Sequence, residues 1–290
     1  MEDFIQLTVT GLANGAILAL AALGFVLIYK ATGVINFAQG QFLVLGAYVI
    51  WAVLTQLGWH WALGILVAVL AAIVLGLLVE RSMLRPLVGR PIIAVIMVTI
   101  GLAEVLRSGV QIAWGTRPRP FPDFIPTGTV GLFGASVPVN RLWAIGLAAG
   151  ALAAFTVFFR RSKRGIAMRA VAGDQQAALA MGISVRRIFA LAWALAGISA
   201  VVGGMLIANL VGVSGLVGSF GLLVFPVVIV GGLDSVPGAM VGGAIIGVIT
   251  SYTGGYVGQG LQTVIPYVVL VFILLIKPYG LFGEVRIERV

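Results

Sequence analysis

The chain has 290 residues, a net charge of +9 and no cysteine, and 61% of its residues are hydrophobic. Only 9% are charged, against about 25% in soluble domains, and the mean hydropathy of +1.15 excludes an ordinary soluble fold. The lack of cysteine excludes disulfides, thiolate metal sites and a cysteine nucleophile. The basic residues fall in short clusters between apolar segments, which is typical of membrane topology signals and not of a nucleic-acid-binding surface.

Apolar segments that approach or exceed the roughly 20 residues needed to cross a bilayer recur along the whole chain. They predict an all-α, polytopic membrane helix bundle that forms one domain over residues 1–290. The nine predicted spans are residues 9–28, 42–57, 61–79, 92–112, 142–159, 188–210, 216–230, 237–250 and 261–276. Eight crossings are the alternative if the short glycine-rich segments on either side of Asp234 form a single broken span.

Charge predicts the orientation of the bundle. If all nine segments cross with the C-terminus inside, fourteen of the eighteen basic residues are cytoplasmic. The fourteen are Lys30, Arg81, Arg85, Arg90, the seven basic residues of 160–187, Lys277, Arg286 and Arg289. Arg107, Arg117, Arg119 and Arg141 remain outside, together with the acidic N-terminus. This distribution satisfies the positive-inside rule.

Four amide side chains lie in or next to apolar segments: Asn36, Gln39, Gln41 and Asn209. Each could line a translocation path, because an amide can hydrogen-bond a zwitterion without fixing its charge. Hydrogen bonding between helices is the simpler interpretation, and we favour it.

Glu104 is the clearest carboxylate inside a predicted span and is a further candidate for the path. Arg107 follows three residues later on the same helix face. That spacing favours a local ion pair over a proton relay.

Three other features have simple structural interpretations. Glycine pairs at the GxxxG spacing (Gly11/Gly15, Gly146/Gly150, Gly238/Gly242 and Gly243/Gly247) favour packing within the chain over a dimer seam. His60 lies between two tryptophans and is interpreted as part of an interfacial aromatic belt. The proline-rich residues 113–140 predict an external segment without a long helix, which is either a rigid connection or a docking surface.

Residues 160–187 form the longest polar interval of the chain and contain a short predicted helix. Asp174 is a good N-cap, Gly182 suits the position after a helix end, and Gly173 permits a sharp turn before the cap. Ala177, Ala178 and Met181 are predicted to share one face of the helix between them. Two helical turns are not stable alone, so this helix must pack on its own bundle or on another protein.

The chain lacks the GxxxxGK[ST] pattern of a nucleotide-binding loop, and it offers few carboxylates for ion coupling. It is therefore predicted to have no catalytic residues, no metal site and no cofactor of its own. A separate protein would then have to supply the energy, and residues 160–187 are the expected contact site for that protein.

Four segments carry a family resemblance. The string RAVAGDQQAALAMGI, residues 169–183, is similar to the coupling segment of ABC-importer permeases of the branched-chain amino acid family and its sugar-permease relatives. Residues 11–29, 34–48 and 231–247 resemble the family's first span, its NFA-x-G-x-F motif and its later glycine-rich loop. The family commonly has His and Glu where this chain has Gln39 and Gln41.

The resemblance implies a multi-pass permease of the bacterial inner membrane, surrounded by lipid, with no enzymatic activity. Two cytoplasmic ATPases that use ATP, a second related permease and an external solute-binding protein are the implied partners, and no nucleic acid is expected. The implied ATPase-coupling residues are Gly173, Asp174, Ala177, Ala178, Met181, Gly182 and Ile183.

Leucine, isoleucine and valine are the default substrates by resemblance, and related systems carry urea, short amides and aromatic acids. An ion-coupled carrier or channel is the alternative function, and a membrane scaffold is a third.

Overall fold

The computed structural model describes residues 2–87, 90–122, 126, 128–132 and 134–283. Most of these residues are helical. The helices are α1 Glu2–Thr32, α2 Gln39–Thr55, α3 Trp61–Val79, α4 Ile92–Trp114, α5 Val139–Arg161, α6 Lys163–Gly173, α7 Gln175–Ala180, α8 Val185–Val211, α9 Leu216–Gly231, α10 Val236–Tyr252, α11 Gln259–Gln262 and α12 Ile265–Ile276. Among the described residues, six helices are long and apolar enough to cross a membrane: residues Glu2–Thr32, Trp61–Leu87, Ile93–Trp114, Val139–Arg161, Val185–Val211 and Val236–Val257.

Three shorter apolar helices complete the predicted set: Gln39–Thr55, Phe220–Gly231 and Ile265–Ile276. The helical membrane architecture is thus confirmed, while the number of crossings and the side on which each terminus lies stay predictions. Arg286 and Arg289, assigned to the cytoplasm from charge, lie outside the described residues.

α1 is the central helix. Every residue from Ile17 to Ile28 is buried, which is the pattern of a helix surrounded by protein on all sides. α1 packs along α10 and α8, with α5 and α9 also against it. α3, α4 and α5 are peripheral, with large apolar side chains such as Leu70, Val105 and Val157 exposed. Such faces suit lipid or a neighbouring protein.

Glycine makes the close contacts between the central helices. A Cβ atom on Gly15 would lie 2.5 Å from the carbonyl oxygen of Gly243, and one on Gly11 would lie 3.0 Å from that of Gly247. Gly238 and Gly242 approach α9 in the same way. Packing within the chain is therefore confirmed for three of the four glycine pairs.

The fourth pair behaves differently. Gly146 and Gly150 lie on an exposed face of α5, and a Cβ on either would meet no described atom within 4 Å. The prediction of packing within the chain is wrong for these two, because α5 is a peripheral helix and turns this face outward.

The polar connections collect at two ends of the bundle. One end, the α7 end, carries α6, α7 and the α9–α10 turn. Lys30, Arg160, Arg169 and Asp234 line one pocket there. At the opposite end, the hairpin end, Arg119 and Val213 exchange two backbone hydrogen bonds of 2.9 Å.

The hairpin end takes its name from a β-hairpin that was not predicted from the sequence. Strand β1 (Thr129–Leu132) pairs antiparallel with β2 (Ala135–Pro138), and Gly134 turns the chain between them with a φ of 88°. Alternation of apolar and small residues around a glycine is its signal in the sequence. The hairpin corrects the strictly all-α prediction, while the absence of a long helix in this segment is confirmed within its described part.

Candidate functional site

The predicted short helix of the polar interval is present as α7. The Asp174 carboxylate accepts hydrogen bonds from the backbone N–H groups of Gln176 (2.8 Å) and Ala177 (3.0 Å). Gly182 has a φ of 79°, the left-handed conformation expected after a helix end. The N-cap and the terminating glycine are therefore both as predicted, although the helix ends at Ala180 and Met181 caps it.

The predicted common face of Ala177, Ala178 and Met181 is not observed. Ala178 is buried against the chain's own bundle, whereas Ala177 is exposed and 82% of Met181 is accessible. Adjacent residues are about 100° apart around a helix, which is enough to bury one side chain and expose the next. Leu179 is also exposed, so α7 presents two large apolar side chains outward.

α6 precedes α7 and was not predicted from the sequence. Ser162 caps it by accepting a hydrogen bond from the Gly165 N–H at 2.8 Å, and Arg169 donates to the Phe159 carbonyl at 2.7 Å. Gly173 closes α6 immediately before Asp174, and half-buried Ile183 follows α7. The signal for α6 was a serine N-cap followed by a run of helix-forming residues.

Two of the candidate path residues are buried structural groups. Asn36 and Gln39 are 1% and 2% exposed, and the Asn36 amide donates to Gln39 at 3.3 Å. Gln39 in turn donates to the Ala196 carbonyl on α8 at 3.4 Å. Gly24 leaves the space that the Gln39 amide fills. The bond from Gln39 to α8 matches the interhelical interpretation, whereas Asn36 bonds locally, to Gln39 and from the Ala38 N–H.

Two other candidates share a cavity of about 370 Å³ between α2, α4 and α9. Gln41 and Glu104 both line it, although they are far apart in the chain. The remaining wall is formed by Phe37, Gly40, Val44, Tyr48, Ala103, Arg107, Val110, Gln111, Gly115, Thr116, Gly215, Gly218, Gly221 and Leu222. α2 and α9 approach each other closely along this wall, where Gly40 and Gly221 are in direct contact.

Glu104 and Arg107 form the predicted ion pair on α4, with a nitrogen–oxygen distance of 3.9 Å. Their side chains are 66% and 59% exposed. The pair is therefore loose, since a charge-assisted hydrogen bond is about 2.7–2.9 Å long.

Sequence reasoning missed Gln111, Tyr48 and Thr116 as polar groups of this cavity. Gln111 could have been found, because Glu104, Arg107 and Gln111 follow the i, i+3, i+7 spacing of one helix face. Tyr48 was hidden in an apolar segment, and its ring stacks on Trp114 at a centroid distance of 5.5 Å.

Two polar residues stand apart from the cavity wall. Asn209 lies half-buried near the end of α8. Asp234 occupies the turn between α9 and α10, where its carbonyl accepts a hydrogen bond from Lys30 at 3.0 Å. Ser235 then caps α10 through the Gly238 N–H. Asp234 is therefore a residue of the turn that joins two helices.

These helices and the polar cavity among them define a multi-pass helical membrane protein. Residues 7–274 match the model of the family described as branched-chain amino acid transport system, permease component. The chain belongs to this family, which confirms the resemblance read from its motifs.

Relatives of the chain match it over most or all of its length. The chain is 31% identical to the high-affinity branched-chain amino acid transport system permease protein LivH of Salmonella typhimurium, covering 99% of this chain and 98% of the relative. It is 29% identical to the corresponding permease protein BraD of Pseudomonas aeruginosa, with the same coverage. A probable LivH of Methanocaldococcus jannaschii is 31% identical over 92% of this chain and 89% of its own length. No solved structure gives a significant match.

Proposed function

We propose that the chain is the membrane-spanning subunit of an ATP-driven ABC importer that carries branched-chain amino acids across the bacterial inner membrane. The permease relatives support the substrate class. The observation that carries the ATP-driven part is α7, a capped helix that is anchored by Ala178 and presents Leu179 and Met181 outward. An exposed apolar pair on a short helix is a suitable docking surface for a soluble subunit.

The proposed assembly contains two cytoplasmic ATPases, a second related permease and an external solute-binding protein. ATP binding closes the ATPases, α7 moves with them, and the helices reorient around a central path. Because Ala178 packs on the bundle, motion of α7 is transmitted directly to the spans. The permease performs no covalent chemistry in this scheme, and the substrate's zwitterionic group passes polar residues such as Gln41.

The docking surface is tested by placing a charge on it. We expect Met181→Glu to reduce co-purification of the ATPases and ATP-driven leucine uptake by about tenfold or more, because a buried apolar contact would acquire an unpaired carboxylate. Val257→Glu is the matched control, since Val257 is also an exposed apolar residue but lies at the hairpin end. Normal ATPase retention and uptake in the Met181 variant would remove α7 as the coupling site.

The competing function is an ion-coupled carrier, and the accessible Glu104 carboxylate is the observation in its favour. Leucine uptake by the purified chain in liposomes, driven by a proton or sodium gradient without ATPase subunits, would establish that function instead. We expect no such uptake, because the Arg107 guanidinium beside Glu104 repels a proton or sodium ion that carries no negative group to bind the guanidinium in turn.

A further inference from the structure

Among the described residues that line the cavity between α2, α4 and α9, the charged groups are Glu104 and Arg107, both near the middle of α4. With a rise of 1.5 Å per residue, Glu104 lies about 18 Å from one end of a helix about 34 Å long. A charge at this depth is costly in lipid and is normally directed to a protein interior or a water-filled path. The placement therefore points to a solute route along this face of α4.

The pair also has unused binding capacity. Its closest nitrogen and oxygen atoms are 3.9 Å apart, and more than half of each side chain is accessible. A guanidinium has five N–H donors and a carboxylate accepts through two oxygens, so each can bind a further partner. The two charges nearly cancel, which means that a ligand with a single charge is attracted by one group and repelled by the other.

We propose that Glu104 and Arg107 form a binding station for the head group of an α-amino acid zwitterion. Arg107 binds the α-carboxylate, and Glu104 binds the α-ammonium group. This inference rests on the proposed function and identifies the site in the membrane where that function recognises its substrate.

The rest of the cavity suits a short apolar side chain. Phe37, Val44, Val110 and Leu222 contribute apolar surface, and Gln41 and Gln111 add amide groups near the charged pair. A volume of about 370 Å³ is at the lower end of the range of small-ligand pockets. A zwitterion with an aliphatic side chain satisfies both parts of this wall, whereas an uncharged amide or urea would leave the two charges without matching partners.

Site-directed labelling tests the station without the partner subunits. The chain has no cysteine, so Leu222→Cys places a single thiol on the cavity wall, and Ile112→Cys is a control that is exposed on α4 outside the lining. We expect millimolar leucine to slow the reaction of Leu222→Cys with N-ethylmaleimide about threefold or more and to leave Ile112→Cys unchanged. Isocaproate lacks the ammonium group and isoamylamine lacks the carboxylate, so neither should protect.

The charged pair is then changed in the Leu222→Cys chain. Glu104→Gln and Arg107→Gln should each weaken protection by leucine about tenfold or more, because each removes one charge-assisted contact. Arg117→Gln, an exposed loop arginine outside the cavity lining, should have no effect. The station would be overturned if leucine gave no protection of Leu222→Cys from N-ethylmaleimide, or the same protection in all variants. It would also be overturned if the two single-charge analogues protected as well as leucine.

The same variants in the assembled transporter separate this inference from the proposed function. We expect Glu104→Gln and Arg107→Gln to lower leucine uptake while the ATPases still co-purify. Uptake that is ATP-driven but unaffected by either variant would overturn the station alone. Uptake by the unmodified chain that follows an ion gradient without ATPase would overturn the proposed function, whereas the labelling result would still decide whether the pair binds leucine.

Discussion

Gln39 and Gln41 lie two residues apart and have different surroundings. Gln39 is buried and hydrogen-bonded to Asn36 and to the Ala196 carbonyl. Gln41 is partly exposed and faces the cavity. A shift of two positions on a helix rotates a side chain by about 200°, so the two amides point to opposite sides of α2.

The two glutamines should therefore respond differently to alanine. We expect Gln39→Ala to lower the free energy of unfolding by about 1–3 kcal/mol, because it removes the acceptor of the buried Asn36 amide and leaves a void where the Gln39 side chain packs beside Gly24. Gln41→Ala should change it by less than about 0.5 kcal/mol, as partly exposed positions usually do. Thermal unfolding in detergent measures both, and equal losses would contradict the separation of structural and cavity-lining amides.

At the scale of helices, the crossing of α1 and α10 organises the bundle. Gly11 and Gly15 on α1 face Gly247 and Gly243 on α10, so the two backbones approach closely. In a membrane, such small-residue contacts replace the hydrophobic driving force that helices have in water. α8, α5 and α9 cover the other faces of α1, and together with this crossing they bury its middle completely.

The crossing predicts that Gly15 tolerates no side chain. Gly15→Ala should cost about 1–3 kcal/mol, because the new methyl group would meet the Gly243 carbonyl and force the helices apart. Gly146→Ala is the matched control: the same spacing motif and the same substitution, but in open space on α5. There the higher helix propensity of alanine should leave stability unchanged or slightly improved.

Melting temperatures of the two variants in one detergent give the comparison. A Gly15→Ala protein as stable as the Gly146→Ala protein would mean that α1 and α10 can separate without cost. A large loss at Gly146 instead would indicate that this exposed glycine pair is already covered by another chain.

Across the whole molecule, basic residues gather at the α7 end. Lys30, Arg160 and Arg169 share one pocket, and Lys163, Arg164 and Arg187 line another beside Gly182. Arg119 lies at the hairpin end, with its guanidinium 4.5 Å from the centre of the Trp51 ring. This polarity matches the charge pattern from which the α7 end was predicted to be cytoplasmic.

Nine crossings with the N-terminus outside predict opposite sides for the two ends of the chain. In right-side-out membranes, a membrane-impermeant thiol reagent should label Asp3→Cys and leave Tyr279→Cys unlabelled until the membrane is permeabilised. Leu57→Cys and Arg186→Cys serve as outside and inside references within the same chain. Labelling of Asp3 and Tyr279 from one side would establish an even number of crossings.

The sequence by itself determined the membrane helix bundle, the segregation of basic residues, the capped α7 helix and the family. These depend on composition, on local capping at Asp174 and Gly182, and on motifs that are continuous in the chain. Gln41 and Glu104 could be listed from the sequence as isolated polar residues, but their neighbours could not.

The tertiary structure decided which of those residues share a site. The packing of α2, α4 and α9 brings Gln41 to the cavity that contains Glu104, and it buries Gln39 and Ala178 while it exposes Met181. Helical periodicity gives relative directions around one helix, whereas the direction that faces a neighbour depends on how distant helices cross. In this protein α2 and α9 meet at a close contact between Gly40 and Gly221, two glycines far apart in the chain, and this long-range packing forms part of the cavity beside the charged pair.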